Sequence, residues 1–241
     1  MIVILTDFGQ SEYLGVMKGV IYSICPKVEI SDLYNNVTPH KIREGAWILL
    51  QNYAYFPKGT IFLCVVDPGV GSERAGVAIH TNNYCFIGPD NGLLYPAVTR
   101  DGIKKVFVLS EEDASSTFHG RDIFAKAAGL LERDRDFTQL GEPGILMHKL
   151  EFFLEGRIGE IVRIDHFGNI ITNLPSLEKG NYTVVYKTKN LSLPFYKTYE
   201  SAEDDTLFLI KGSCNTLEIS IKNSKAISKF KVNVGDKIEI T

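Results

Sequence analysis

The chain has 241 residues, 44% of them hydrophobic, and a formal net charge of −3 at pH 7. That is enough chain for one large core or two modest ones, and without a basic excess nucleic acid is not an expected partner. No run approaches the roughly 20 apolar residues of a membrane span, so no membrane partner is expected either.

Residues 2–6 form a short apolar run ending at Thr6-Asp7, the pattern of a strand covered on both faces. Residues 12–25 place Leu14, Met17, Val20, Ile21 and Ile24 at helical spacing until Pro26 stops them. Residues 28–33 read as a second strand. Thr38-Pro39 reads as a helix start, an N-cap followed by proline in the first turn, with Ile42, Ala46, Leu49, Leu50 and Tyr53 on the apolar face. Residues 61–66 are the most strand-like segment and end at Asp67-Pro68-Gly69. Residues 77–80 and 84–87 predict a hairpin closed by Asn82-Asn83. Residues 106–109 predict another strand, and 121–133 a helix with Ile123, Phe124, Ala127, Leu130 and Leu131 inward. This alternation predicts an α/β domain over residues 1–150, with a largely parallel sheet and helices on both faces.

The pattern then changes. Residues 136–156 carry Gly141, Pro143, Gly144 and Gly156 with little periodicity and read as a connector. Strands are predicted at 158–164, 182–187, 206–211, 216–221 and 236–240, separated by turn signals. They make a smaller all-β, barrel-like domain over residues 157–241. The four cysteines, Cys25, Cys64, Cys85 and Cys214, show neither CxxC nor zinc-ligand spacing. Cys64 and Cys85 read as small buried hydrophobes. Reduced thiols and a start lacking the basic and apolar regions of a signal peptide lead us to expect a cytoplasmic protein.

Several polar residues need an explanation. Asp7 and Asp67 both follow apolar strands, and the crevice beyond the carboxyl ends of strands is where open α/β sheets bind ligands. Two carboxylates there can accept hydrogen bonds from a sugar diol; the plain alternative is that each caps the next turn. The run Asp67-Pro-Gly-Val-Gly-Ser-Glu-Arg74 is glycine-rich but lacks the GxxxxGK[ST] pattern, and a strand follows it, so it is not a phosphate loop. Arg74 can fold back on Asp67, although taken alone it reads as a surface loop arginine. His119 stands just before a helix, where the dipole disfavours a cation and leaves a neutral imidazole able to accept a proton. Arg121 and Asp122 read as first-turn helix charges. Gly88-Pro-Asp-Asn-Gly92 reads as a structural turn. Asp165-His-Phe-Gly-Asn169 interrupts a strand; Asn169 offers a donor and an acceptor to the edge of a base, and a β-turn is the equally plain reading.

Together these segments resemble one family. Thr6-Asp7-Phe8-Gly9, Val66-Asp67-Pro68-Gly69-Val70-Gly71, Gly88-Pro-Asp-Asn-Gly92-Leu93-Leu94, Phe118-His-Gly-Arg-Asp122 and Phe167-Gly-Asn169 occur in that order. They resemble the S-adenosylmethionine hydroxide adenosyltransferases, relatives of the fluorinases and chlorinases, over nearly the whole chain. The resemblance implies an enzyme that cleaves S-adenosylmethionine with water to adenosine and L-methionine, without a metal or other cofactor. It implies an N-terminal α/β domain joined to a C-terminal β-barrel, and a homotrimer with sites between subunits. By position it makes Asp67, Arg74 and His119 the set that positions and activates water, with His119 as base or orienter. It puts Asp7 at the nucleoside, Asn169 at the adenine edge, Asp165 at the methionine amino group and Ser213 near the methionine carboxylate. Glu218 and Asn223 are further candidates on the β-domain side. Cys214 stands where the fluorinases have arginine, a departure at the carboxylate contact. His119 stands where the halide-using relatives have tyrosine, which favours water over halide.

Three alternatives make distinct predictions. A halide-using adenosyl enzyme would form 5′-halo-adenosine. A metal-dependent phosphohydrolase would use Asp7, Asp67, Asp90 and His119, but no adjacent carboxylate pair or HxxxH spacing supports it. A non-catalytic adenosine or S-adenosylmethionine sensor would bind without turnover.

Overall fold

A computed structural model describes residues 1–112 and 114–241. The chain divides into two compact units, Met1–Glu151 and Phe152–Thr241.

The first unit carries seven strands: β1 (Ile2–Thr6), β2 (Ile30–Tyr34), β3 (Ile61–Val65), β4 (Gly76–Thr81), β5 (Cys85–Pro89), β6 (Ile103–Leu109) and β7 (Gly141–Pro143). They form one sheet in the order β2-β1-β3-β5-β4-β6-β7. The four strands β2, β1, β3 and β5 are parallel. Beyond them the sheet turns antiparallel, because β4 returns on β5 as the expected hairpin and β6 and β7 add alongside it. β1 and β3 are buried at every position, as strands covered on both faces must be.

Period-two alternation divides their side chains between two layers. Ile2, Ile4, Ile61, Leu63 and Val65 share a core with Met17 and Ile21 of helix α1 (Glu12–Ile24) and with Leu131 of α4 (Lys126–Asp134). Leu5 faces the other way, toward α2 (Ile42–Asn52). There Gly45 lets the helix approach closely: a Cβ at 45 would stand 2.9 Å from Leu93 and 3.2 Å from Val66. A further helix, α3 (Tyr95–Asp101), packs on α2. Helices therefore cover both faces.

The helix expected to start at Thr38-Pro39 starts later, at Ile42 with Lys41 as its N-cap. His40 has φ 67°, which no right-handed helix accommodates. The Thr38 and His40 N–H groups donate instead to Glu44 and Asp7, so this stretch is a tethered loop. The 136–156 connector holds one short strand, β7, paired with β6.

The second unit is a closed barrel in the order β10-β11-β12-β13-β9-β8-β14. Its strands are β8 (Ile158–Ile164), β9 (Ile170–Pro175), β10 (Gly180–Tyr186), β11 (Lys189–Tyr196), β12 (Leu207–Lys211), β13 (Thr216–Ile221) and β14 (Lys237–Ile240). A short helix, α5 (Ala226–Lys229), follows β13. Closure removes the unpaired edges that an open sheet of this size would leave. Leu217, Ile219 and Ile221 of β13 join Ile161, Val184 and Leu209 in the barrel core. Each such side chain contributes roughly 1.5–3 kcal/mol by burial. No described helix is long and apolar enough to cross a membrane.

Candidate active site

Asp67 lies two residues beyond β3, where the chain leaves the sheet. Its side chain is only 5% exposed and that of Arg74 only 6%. Arg74 grips it with two hydrogen bonds, Nε donating to Oδ1 at 3.0 Å and Nη2 to Oδ2. Such a two-pronged, charge-assisted pair fixes both groups. Arg74 is thus no surface arginine. The loop between them makes this possible: Ser72 N–H donates to the Gly69 carbonyl, Ser72 Oγ donates to the same carbonyl, and Gly71 adopts φ +76°. A Cβ on Gly71 would also fall 2.4 Å from the Ser116 carbonyl, so glycine lets the Asp67 loop lie directly on the loop that delivers His119.

His119 precedes a π-helical turn, Gly120–Ala125, that runs into α4. Such turns concentrate at functional sites because they re-aim side chains out of the regular spiral. The imidazole is buried, and its Nδ1 lies 2.9 Å from Arg74 Nη2. A guanidinium can only donate, so Nδ1 is the acceptor and the ring proton sits on Nε2. Protonating Nδ1 would set N–H against N–H. The ring therefore presents a donor, not a lone pair, at Nε2. The arrangement can bind and orient an oxygen nucleophile; it gives His119 no free nitrogen with which to accept a proton.

Asp7 follows β1 and takes the His40 N–H at 2.9 Å. Glu44 takes the Thr38 N–H at 3.2 Å, so two carboxylates tether the loop over the end of β1. Asp90 is buried and receives the Met147 and His148 N–H groups at 2.7 and 3.3 Å. Asn91 adds bonds to the Val66 carbonyl and the Leu93 N–H, which makes 88–92 the structural turn expected. Among the described residues no group of three or more His, Cys, Asp or Glu is placed to hold a metal ion.

The barrel unit gathers a second polar cluster. Asp165 and Asn169 close the β8–β9 turn. Oδ1 of Asp165 accepts the Asn169 N–H at 2.8 Å, and Oδ2 accepts the Asn169 side-chain amide at 2.9 Å. That amide also donates to the Tyr199 hydroxyl at 3.3 Å. Glu218 and Ser220 alternate with the core residues of β13, so they point away from the barrel interior, yet both are buried. Gly212 covers Glu218 so closely that a Cβ there would stand 1.6 Å from Oε1. Burial, then the Asp165 charge, push the Glu218 carboxyl up from 4.5 to about 7; Tyr199 and Arg163 only partly oppose this. Burial pushes the Tyr199 hydroxyl up as well. Ser213 and Cys214 sit on the turn after Gly212, Ser213 exposed and Cys214 half-buried. Asn223 lies beyond β13 with φ 58° and donates to Asp204 at 3.4 Å, which makes it a turn former on the exposed surface.

The sequence names the members of both clusters but not Tyr199, Ser220 or Gly212. None of these stands in a motif; Tyr199 and Ser220 enter through contacts 30 and 21 residues apart in the chain, and Gly212 by closing over Glu218 across the turn.

Residues 2–141 match the family model described as SAM hydroxide adenosyltransferase N-terminal domain, and residues 159–239 match its C-terminal domain. A protein of Methanocaldococcus jannaschii named (R)-S-adenosyl-L-methionine hydrolase is 35% identical, covering 100% of this chain and 95% of that protein. A protein of the same name from Thermus thermophilus is 32% identical over 92% of both chains. The crystal structure of an uncharacterized conserved protein from Thermotoga maritima superposes over 100% of both chains with TM-score 0.92 and 32% identity.

Proposed function

The chain belongs to the SAM hydroxide adenosyltransferase family, and from that premise we propose that it is an enzyme hydrolysing S-adenosyl-L-methionine to adenosine and L-methionine. The observation that carries the chemistry is the buried Asp67–Arg74–His119 set, with Nδ1 of the imidazole accepting from Arg74. Oxygen attacks the 5′ carbon, the carbon–sulfur bond breaks, and its electron pair returns to sulfur as a neutral thioether. With water as the source of oxygen, one proton is released to solvent. A hydroxide and a sulfonium cancel charge as they react, so a site that excludes water favours the transition state over the separated ions. No metal or organic cofactor is needed for these steps.

Nε2–H of His119 donates to the nucleophile, which favours hydroxide over water and aims it. The Asp67 carboxylate, held by Arg74, keeps further lone pairs for an O–H of the nucleophile or of the ribose. Holding one oxygen in line behind carbon and sulfur supplies up to roughly 7–11 kcal/mol in favourable cases. Asp7 binds the ribose side. In the barrel unit the Asn169 amide N–H groups are held by Asp165 and Tyr199, leaving its carbonyl for the adenine amino group. Asp165 and Glu218 form an acidic cluster suited to the ammonium of the methionine moiety. Ser213 takes the carboxylate, and Asn223 has the weakest support, its amide being bonded to Asp204. The two clusters are completed across subunits of a homotrimer, and sedimentation should give three copies per particle. Four unpaired cysteines support a cytoplasmic setting.

A sulfonium sulfur with three different substituents is chiral, and relatives carry (R) in their names. The (R) epimer is therefore the proposed substrate. Each epimer is incubated with the protein near neutral pH, and adenosine and methionine are quantified. Equal amounts of both from the (R) epimer are expected. No adenosine from either epimer overturns the reading. 5′-halo-adenosine on adding chloride or fluoride would make halide the nucleophile, and tight binding without turnover would make the protein a sensor.

A further inference from the structure

Asp122 remains without a role in this chemistry, and its contacts exceed those of a first-turn helix charge. Its Oδ2 accepts the Ser115 N–H at 3.0 Å, seven residues back along the chain. Ser115 Oγ in turn accepts the Phe118 N–H at 3.2 Å. The Phe118 carbonyl accepts from the N–H groups of Arg121 and Asp122 at 3.1 and 3.2 Å, which closes the ring of contacts. Arg121 holds the carboxylate from the other side, Nε to Oδ1 at 2.6 Å and Nη2 to Oδ2 at 2.9 Å, and its guanidinium lies 5.3 Å from the centre of the Phe118 ring. The Phe118 ring packs edge-on against Tyr13 and Phe8. His119 is the next residue. The same loop receives Gly71 of the Asp67 loop against the Ser116 carbonyl.

We propose that Asp122 is a positioning residue for His119: through Ser115 and Phe118 it sets the loop so that Nδ1 of the imidazole meets Arg74. The carboxylate accepts on both oxygens, Oδ2 from Ser115 and Arg121 and Oδ1 from Arg121, whereas an amide has one acceptor oxygen only. In Asp122→Asn the new NH2 group must face the Arg121 Nε–H or the Ser115 N–H. At least one of these bonds is lost, and the turn before His119 loosens. The Arg121 bonds hold the Asp122 carboxyl far below its ordinary value, so it stays an anion across the working pH range. The role depends on the proposed reaction only for its kinetic readout.

The test compares wild type with Asp122→Asn and with Ser115→Ala, which removes the Ser115 hydroxyl's contacts with Phe118 and Asp122 but keeps the Ser115 N–H bond, and is the milder change should Asp122→Asn fail to fold. Two readouts are taken. In the first, kcat for adenosine release should fall on the order of 10²-fold in Asp122→Asn, as for a misplaced orienting group, while KM holds within about threefold. Ser115→Ala should fall less, with the same split. In the second, ¹⁵N spectra of the histidine rings, with His119 identified by its loss in His119→Gln, should show a fixed Nε2–H form in wild type. In the variants that ring should average between tautomers. Wild-type kcat in both variants, or a His119 ring signal unchanged in both, would overturn the proposal. If wild type itself releases no adenosine, the proposed reaction fails while the ring spectra still decide the role of Asp122.

Discussion

Asp67 and Glu218 are both carboxylates on near-buried side chains, one in each unit, yet their charges are balanced in opposite ways. Asp67 meets a guanidinium that is itself buried and bonded to a third polar group. Glu218 stands in the field of another carboxylate, Asp165, under a glycine that leaves no room for a covering side chain. The first cluster carries its counter-charge within the fold. The second is under-compensated, with Arg163 offsetting only part of the penalty, and it favours an incoming cation. A fixed, neutralised cluster suits the orientation of a small nucleophile, whereas a cation-seeking cluster suits recognition of an ammonium group.

The comparison breaks most sharply at Arg74. Arg74→Met leaves the Asp67 carboxylate buried without its partner and His119 Nδ1 without its donor. We expect a stability loss of about 3–5 kcal/mol in denaturant unfolding, with loss of turnover. A variant within about 1 kcal/mol of wild type would mean that Asp67 is not compensated by Arg74, since exposed pairs contribute no more than that. Next in size is His119. His119→Ala should lose on the order of 10²–10³-fold in kcat as a removed donor, while His119→Gln, which keeps an N–H to offer, should recover to within about tenfold of wild type. Equal losses in the two would return His119 to the role of proton acceptor.

The smallest effect separates the clusters by pH. The folded Glu218 carboxyl sits near 7 against 4.5 ordinarily. Between those values the folded protein holds a proton that the unfolded chain has released, so stability falls as pH rises from 4.5 to about 7. Asp165, Arg163 and Tyr199 face the same group and remain in place in Glu218→Gln. Melting temperature in that variant should lose this decline, making its profile flatter than wild type over the interval. Parallel profiles would show that Glu218 is not the group whose ionisation the barrel resists.

Much of the fold is legible along the chain. The apolar runs at 2–6 and 61–66 become β1 and β3, and the Asn82-Asn83 signal becomes the β4–β5 turn. β9 is harder to read because Thr172 and Asn173 interrupt its apolar pattern. Both are buried and satisfied by distant groups: Thr172 donates to the Leu217 carbonyl, and Asn173 bonds Phe153 and Glu160. Thr38-Pro39 misleads in the opposite sense. It carries a helix-start signature, but its loop is drawn to Asp7 and Glu44.

By itself the sequence determined the strand and helix periods, the turns at Asp67 and Asp165, and which residue types meet at each. These depend on neighbours a few positions apart. Only the tertiary structure decided that Arg74 is buried, which imidazole nitrogen carries the proton, and that Glu218 is covered on the outer side of its strand. The physical reason is separation. His119 lies 45 residues from Arg74, and the charge state and direction of a polar group are set by partners that the fold brings into contact, whatever their distance in the chain.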